Sequence, residues 1–514
     1  MNKKTTIEEL LKNGLFSEYL PSEFNTKLID KSILTEKFEN TKTNPLSYTM
    51  WKTNDNVKRE NRRVISIPNI IDFINLIKQL NISYTYPSLL KRNSENEHSL
   101  SKAFYDDGSI RQFNIDYVNK IIIGKEITAE ISKKDFISNL DEKLRRAKAC
   151  ECILHLDISN FFGSVYTHFI TSITKGEDWA QKEYEKKQEN INKDKNKKEK
   201  ISQEYTDLDL IDERFRNLNK GRTHGLLLGP RVSFVIAEFL LTQIDVEIER
   251  ELKGLCDFVR YVDDYEFFID KKSDVEKVIL LVRNTLNRYG FVLNDLKTKI
   301  EEFPFYSYIN FEKVNVEQLN ISEKYSLFAN IEKQNIQNGA LYFFINQIMP
   351  TDQTDKDIAL NIAFNIIKNI PESLIRGCVY IENSVKLNNK SIILENLSKM
   401  LYYFLDKNYD IETIWLINLI LKIDSSYSFK IKDIDRLNDI AKIIIYYNSS
   451  IKKYKNHIIN KSGNNWLLNY ELYFNNYITD KMFLRRTKQK SNLLSNYEKL
   501  KALNIHFYNP SKEQ

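Results

Sequence analysis

The stretch FVRYVDDYEFF, residues 258–268, sets two adjacent aspartates between two short runs of aromatic and β-branched residues. Apolar run, acidic pair, apolar run is the pattern of a β-hairpin with Asp263 and Asp264 at its tip. On its own such a tip reads equally well as a solvated turn. A second segment changes the balance: CILHLDI, 152–158, is another apolar run of strand length, and it closes on Asp157. If the two runs share a sheet, Asp157 meets Asp263 at one edge. The resulting carboxylate cluster would be costly to bury unless a hard divalent cation neutralised it. Two such ions supply what nucleotidyl transfer needs, one activating the attacking hydroxyl and the other neutralising the triphosphate and departing pyrophosphate.

Composition limits the rest. A chain of 514 residues with 42% hydrophobic content can bury a large core in two to four domains. Its 76 basic residues are offset by 70 acidic ones, so any contact with nucleic acid must come from local clusters. The apolar run IETIWLINLILKI, 411–423, is too short to span a bilayer, and MNKKTTIEELLKNGLF has no signal-peptide core. The expectation is a cytoplasmic protein that does not engage a membrane. Cys150, Cys152, Cys256 and Cys378 make no disulfide framework and no zinc pattern.

Texture divides the chain in three, giving an α+β fold followed by an all-α domain. Residues 1–150 mix helical patterns with polar loops and carry the basic cluster KRENRR, 58–63. Residues 151–309 alternate β-like and helical runs, interrupted at about 175–215 by a charged insertion whose centre, KEYEKKQENINKDKNKKEKISQE, is almost free of apolar residues. From 310 to 514, Ile, Leu, Phe and Tyr recur at helical spacing, which suggests a solenoid-like helical array. The basic stretch DKMFLRRTKQKSNLL, 480–494, reads first as a solvated helix face.

Four segments together resemble reverse transcriptases: LDISNFF (156–162) their motif A, THGLLLGPRVSFVIAEFLL (223–241) motif B, YVDD (261–264) motif C and GFVLNDLKTKI (290–300) motif D. The resemblance implies fingers and palm in the first 309 residues. It also implies Mg²⁺ in two sites, with Mn²⁺ as a substitute, bound by Asp157, Asp263, Asp264 and the Ile158 carbonyl. Phe162 falls where the family has an aromatic gate against the ribose 2′-OH, which implies deoxynucleoside triphosphates as substrates. Gly229 matches the motif B glycine that lets backbone approach the nascent pair, and Lys297 the motif D lysine that can protonate pyrophosphate. RRVISIPN, 62–69, is similar to the fingers segment that grips the triphosphate, which nominates Arg62 and Arg63, although a solvated basic turn accounts for it equally.

Two departures narrow the resemblance. Leu227, Leu228 and Gly229 stand where most reverse transcriptases carry Pro-Gln-Gly, and the C-terminal part shows neither RNase H nor maturase pattern. That layout, with RYVDD and LNDLKTKIEEFPF, is similar to the bacterial abortive-infection (Abi) and defence-associated reverse transcriptases. The family implies antiphage DNA synthesis, without a template or with a cognate non-coding RNA. It also implies homo-oligomers and a single-stranded DNA product that can be attached to the protein. Protein priming would use a phenol as nucleophile, and Tyr508 in the tail NIHFYNPSKEQ is the candidate, against its reading as a simple anchor. Two alternatives stay open: a conventional RNA-templated enzyme of retron type, and an RNA-binding scaffold with a vestigial polymerase core.

Overall fold

Residues 2–51, 62–110, 139–192, 198–306, 319–333, 340–347, 356–385 and 389–510 are described by a computed structural model. Residues 58–61 of the basic cluster lie outside them. The N-terminal region carries an antiparallel hairpin of β1 (Leu46–Trp51) and β2 (Arg62–Ile67), with Trp51 opposite Arg62 and Met50 opposite Arg63. The palm sheet consists of β3 (Cys152–Asp157), β4 (Asp257–Tyr261), β5 (Asp264–Ile269) and β6 (Lys299–Glu302), in the order β4-β5-β3-β6 with every pair antiparallel. β3 lies inside the sheet, and Cys152, Ile153, Leu154 and Leu156 are all buried. A strand covered on both faces needs a near-continuous apolar run, which CILHL supplies, interrupted by the half-buried His155 whose Nε2 meets Glu301 (2.8 Å).

Helices α1 (Lys3–Asn13), α2 (Ile70–Ile82), α3 (Tyr86–Glu95), α4 (Glu177–Asn192), α5 (Gln203–Leu218), α6 (Arg231–Leu252) and α7 (Val275–Arg288) surround the sheets. α6 follows Pro230 and is buried around nearly its whole circumference, as expected of an interior helix. The expected charged insertion at 175–215 is partly corrected. α5 carries Leu208, Ile211, Phe215 and Leu218 at helical spacing, all buried, and packs on α2. Asp207 of α5 accepts hydrogen bonds from Ser83 Oγ (2.6 Å) and the Thr85 amide (3.0 Å), which ties α5 into the N-terminal region. α5 is therefore core, and among the described residues the solvated part is the outer face of α4 together with residues 198–200.

The C-terminal region is all-α among the described residues after β6. α8 (Lys356–Asn369), α9 (Leu374–Ser384), α10 (Lys390–Asp406), α11 (Asp410–Ile423), α12 (Asp439–Asn448), α13 (Trp466–Phe474) and α14 (Asp480–Thr487) pack in a chain: α8 on α9, α9 and α10 on α11, α11 on α12, α12 on α13, α13 on α14. The helices range from 6 residues at Ile431–Arg436 to 17 in α10, with no constant unit of the kind a solenoid repeats. The eight aliphatic and aromatic side chains of α11 from Ile411 to Leu421 are all buried, each such burial contributing roughly 1.5–3 kcal/mol.

This helical mass folds back on the N-terminal hairpin. The Thr49 amide and hydroxyl donate to Asp410 (2.8 and 3.0 Å), Asn438 Nδ2 donates to the Ser47 carbonyl (3.0 Å), and Trp466 Nε1 donates to the Ile67 carbonyl (3.4 Å). All four cysteines are free thiols. Among the described residues, no helix is long and apolar enough to cross a membrane.

Candidate active site

The register of β3 on β5 places Asp157 directly opposite Asp264. Tyr261 pairs with Asp264 across the hairpin, so the two turn residues are Val262 and Asp263. Asp264 therefore opens β5, where the sequence reading had put it at the tip beside Asp263. The Ile158 amide donates to the Asp263 carbonyl (3.1 Å), joining the end of β3 to the turn. The backbone thus gathers Asp157, Ile158, Asp263 and Asp264 at one end of the sheet.

Val262 has φ 56°, a region a β-branched residue enters only at a cost. Partners on both sides hold it there. The Val262 amide donates to Ser101 Oγ (2.7 Å), and the Val262 carbonyl accepts from Arg260 Nη1 (3.0 Å). Arg260 is itself fully buried between Glu238 (2.9 Å) and Asp245 (2.8 Å) of α6. Ser99 and Ser101 hydroxyls complete Glu238, and Asn96 Nδ2 and the Tyr265 hydroxyl complete Asp245. This network was missed in the sequence. Its signal was the pair Glu238 and Asp245, seven residues apart and so on one face of the helix, each flanked by apolar residues.

Motif D grips Asp157 from the other side. The Asn294 amide donates to the Asp157 carbonyl (2.8 Å), Asn294 Nδ2 to Oδ1 (3.0 Å) and Lys297 Nζ to Oδ2 (2.7 Å). Asn294 is a second residue that the motif reading passed over. Burial of the Lys297 ammonium works to lower its pKa, but the hydrogen bond to Asp157 and the charges of Asp157, Asp264 and Asp263 outweigh it and hold it above the ordinary lysine value. Burial, followed by the charge of Asp157, raises the Asp263 carboxyl. Asp264 is solvent-exposed, yet the protein crowded around its carboxyl, a hydrogen bond with Asp157 and the charge of Asp263 push it up to about 7.

The donor set is all oxygen, and its members repel one another, so it suits a hard divalent cation chemically. Among the described residues, no three His, Cys, Asp or Glu side chains are drawn in around a single point. Lys297 occupies the Asp157 oxygen that such an ion would share.

Motifs A and B run alongside each other. The Leu226 amide donates to the Phe162 carbonyl (2.8 Å), Gly225 to Val165 (2.9 Å) and Thr167 to Thr223 (2.8 Å). Phe162 is half-buried, with its ring edge-on to Phe161 at 5.4 Å. Gly229 has φ +117°, and a Cβ there would fall 2.7 Å from Ile65 Cγ2 and 2.9 Å from the Ser66 carbonyl. The Ser66 amide donates to the Leu228 carbonyl (2.7 Å). Glycine is thus required at 229 by the close approach of the motif B loop to β2.

Arg62 and Arg63 part company because neighbouring strand residues face opposite ways. Arg62 turns to the helical region, where it makes a bidentate pair with Glu412 (2.7 and 2.5 Å) and lies over the Tyr409 ring at 4.0 Å. That corrects its nomination as a triphosphate ligand. Arg63 has no hydrogen bond or ion pair among the described residues, and its charge is close enough to act on the Asp263 carboxyl.

Tyr508 is fully buried. Its hydroxyl accepts from Asn448 Nδ2 (2.5 Å), its ring packs on Phe24 at 4.8 Å, and its backbone bridges to Phe24. The tail is pinned on either side, Asn25 donating to the Phe507 carbonyl (3.1 Å) and Asn509 to the Glu23 carbonyl (2.8 Å). The structure makes Tyr508 an anchor and does not present it to the aspartates as a primer.

Comparison with known proteins agrees with this geometry at the level of the domain. Residues 106–322 match the family model for reverse transcriptase (RNA-dependent DNA polymerase). No curated protein matches the chain. Among solved structures, it is similar to telomerase from Candida albicans in complex with a TWJ fragment of telomeric RNA, at 14% identity, 82% coverage of this chain and a TM-score of 0.28. Apo telomerase from Candida tropicalis gives 13% identity, 76% coverage and a TM-score of 0.30. The chain spans 66% of each, just under two thirds of their length. A reverse transcriptase domain is present over residues 106–322.

Proposed function

We propose that the protein is an antiphage-defence DNA polymerase that joins deoxynucleotides by nucleotidyl transfer at Asp157, Asp263 and Asp264. One observation carries this reading: three carboxylates, two of them register partners, stand at one end of the sheet, compensated by the half-exposed Lys297 ammonium on Asp157 and the charge of Arg63 near Asp263. A protein that only binds RNA has no use for such mutual repulsion. The defence role, priming by a tyrosine of the chain and operation as a homo-oligomer rest on the resemblance to the Abi group.

Two divalent cations, Mg²⁺ in this proposal, held by the three aspartates and the Ile158 carbonyl would supply a Lewis acid for the attacking hydroxyl and neutralise the triphosphate. The chain's own groups do the rest. Lys297, kept protonated beside Asp157, is placed to give its proton to the departing pyrophosphate. Arg63 supplies positive charge beside Asp263 for the triphosphate. Phe162, tied through its carbonyl to motif B, is positioned to exclude a ribose 2′-OH. With Tyr508 in the core, a priming phenol must come from another tyrosine.

The test is incubation of the purified protein with Mg²⁺ and each labelled dNTP, beside a variant carrying Asp263→Ala and Asp264→Ala. Label that stays with the protein until proteolysis, and is absent in the variant, supports protein-primed synthesis. Incorporation that disappears after RNase treatment points to an RNA template or cognate RNA, the reading that the matched family's description favours. No incorporation of any dNTP, even with co-purified RNA, would reject the polymerase mechanism.

A further inference from the structure

A groove of about 590 Å³ opens where three distant parts of the chain meet: the loop 39–44, the turn at Lys220, and the segment 487–493 that follows α14. None of its residues belongs to the aspartate cluster. Lys42, Lys220, Lys488 and Lys490 line it, all exposed and none in an ion pair among the described residues. The acid among the lining residues, Glu39, already accepts from Asn492 Nδ2 (2.6 Å). The groove thus concentrates positive charge in a chain whose overall excess is only +6.

Three of the four described lysines with positive φ stand here: Lys42 at 49°, Lys220 at 57° and Lys488 at 54°. Glycine or asparagine would occupy such positions at less cost. The loop that carries Lys42 is fixed in advance, since Asp72 accepts from the Thr41 and Lys42 amides (2.8 and 2.9 Å) and from the Thr41 hydroxyl (2.6 Å). On the opposite wall Gln489 donates to the Tyr497 hydroxyl (2.6 Å), while its Oε1 is enclosed without a partner. The ammonium groups around the groove suit phosphates.

We propose that this groove binds a single strand of nucleic acid, the lysines contacting its phosphodiester backbone. It is too small for a duplex, and the separate segments that wall it suit a flexible strand. RNA and DNA share this chemistry, so the test carries both. Binding needs no catalysis, so the result does not depend on the polymerase reading.

Fluorescence anisotropy of the full-length protein, without dNTPs, would use labelled oligo-dT and oligo-rU at about 50 and about 200 mM salt. The variant Lys220→Gln, Lys488→Gln, Lys490→Gln is expected to bind at least one of them on the order of 10-fold more weakly. Its salt slope should fall by about 2, the share of three phosphate contacts on a single strand. Lys277→Gln, Lys452→Gln, Lys453→Gln removes equal charge elsewhere and should change affinity less than about twofold. The strand most affected identifies the natural sugar. Arginine at the three groove positions should retain binding. Equal behaviour of the two glutamine variants, or equal loss in the arginine and glutamine versions, would overturn the proposal.

Discussion

Behind the 258–268 hairpin, Glu238 and Asp245 share the fully buried guanidinium of Arg260, whereas at its end Asp157, Asp263 and Asp264 have one ion pair, from the half-exposed ammonium of Lys297 to Asp157, and the more distant charge of Arg63. The first group has two carboxylates, one arginine and a hydroxyl or amide on the remaining lone pairs. Nothing in it asks for a ligand. The second holds more negative charge than its partners can balance, and the excess appears as raised pKa values on Asp263 and Asp264. Both groups grip the same turn, one through Val262 and the other through Asp263. A satisfied ionic cluster has thus been built as a fixed base for an unsatisfied one, which is how strain and repulsion persist at functional sites.

The contrast breaks most sharply if each group is altered in turn. Asp263→Asn should abolish dNTP incorporation, by three orders of magnitude or more (about 4 kcal/mol in the barrier), while leaving the thermal midpoint unchanged or higher. Loss of folding in this variant would mean the acidic cluster is structural after all. Arg260→Met should do the reverse and remove about 3–5 kcal/mol of stability, because it strands two buried carboxylates. Denaturant melts would measure that, and a melt like the wild type would show that the network does not hold the hairpin.

Glu471 offers a third way to neutralise a carboxylate, by a proton. It is fully buried, accepts from the Phe507 amide (2.8 Å) and the Tyr447 hydroxyl, and burial pushes it from 4.5 up to about 7. The folded pKa lies above the unfolded one, so this contribution to stability is fully present below about pH 4.5 and is lost as pH rises through about 7. The loss is on the order of 3 kcal/mol. Glu471→Gln should flatten that part of the stability–pH curve and raise stability at pH above 7; an unaltered curve would mean that Glu471 is not its source.

The two arginines of β2 sharpen the comparison at smaller scale. Arg62→Ala should cost about 2–4 kcal/mol of stability by leaving Glu412 buried and unpaired. Arg63→Ala should leave the melt unchanged and raise the KM for dNTPs about tenfold, with a weaker effect on kcat. Smallest of all, Val262→Gly should relieve the positive φ and gain at most about 1 kcal/mol. A loss there would show that the valine side chain itself packs usefully.

How much of this was legible beforehand depended on the distance over which each residue acts. Asp157, Asp263 and Asp264 stand at the ends of apolar runs, so a local pattern was enough to bring them together. Arg62 and Arg63 are adjacent, and only the location of Glu412, 350 residues away, shows that they face different neighbours. α5 was hidden by its charge: its buried Leu208, Ile211 and Phe215 are spaced for a helix, but the lysine-rich segment before it masked the change of character. Tyr508 was read from its position near the chain end, and burial against Phe24 is a contact that no local signal reports. The helical spacing after 310 was right about the all-α content and silent on how the helices pack.

The attachment of the helical region to β1 and β2 has a consequence for modularity. Asp410 and Glu412 hold one face of that hairpin, Trp466 reaches the end of β2, and the Tyr497 hydroxyl accepts from Asn69 just beyond it (2.7 Å). The tail then returns to strap residues 23–25. The motif-bearing segment is therefore not a cassette that can be excised by cutting after β6. A fragment ending there would expose Trp51 and leave Arg62 without its counterion. In this architecture the motif-bearing segment and its helical extension fold as one unit.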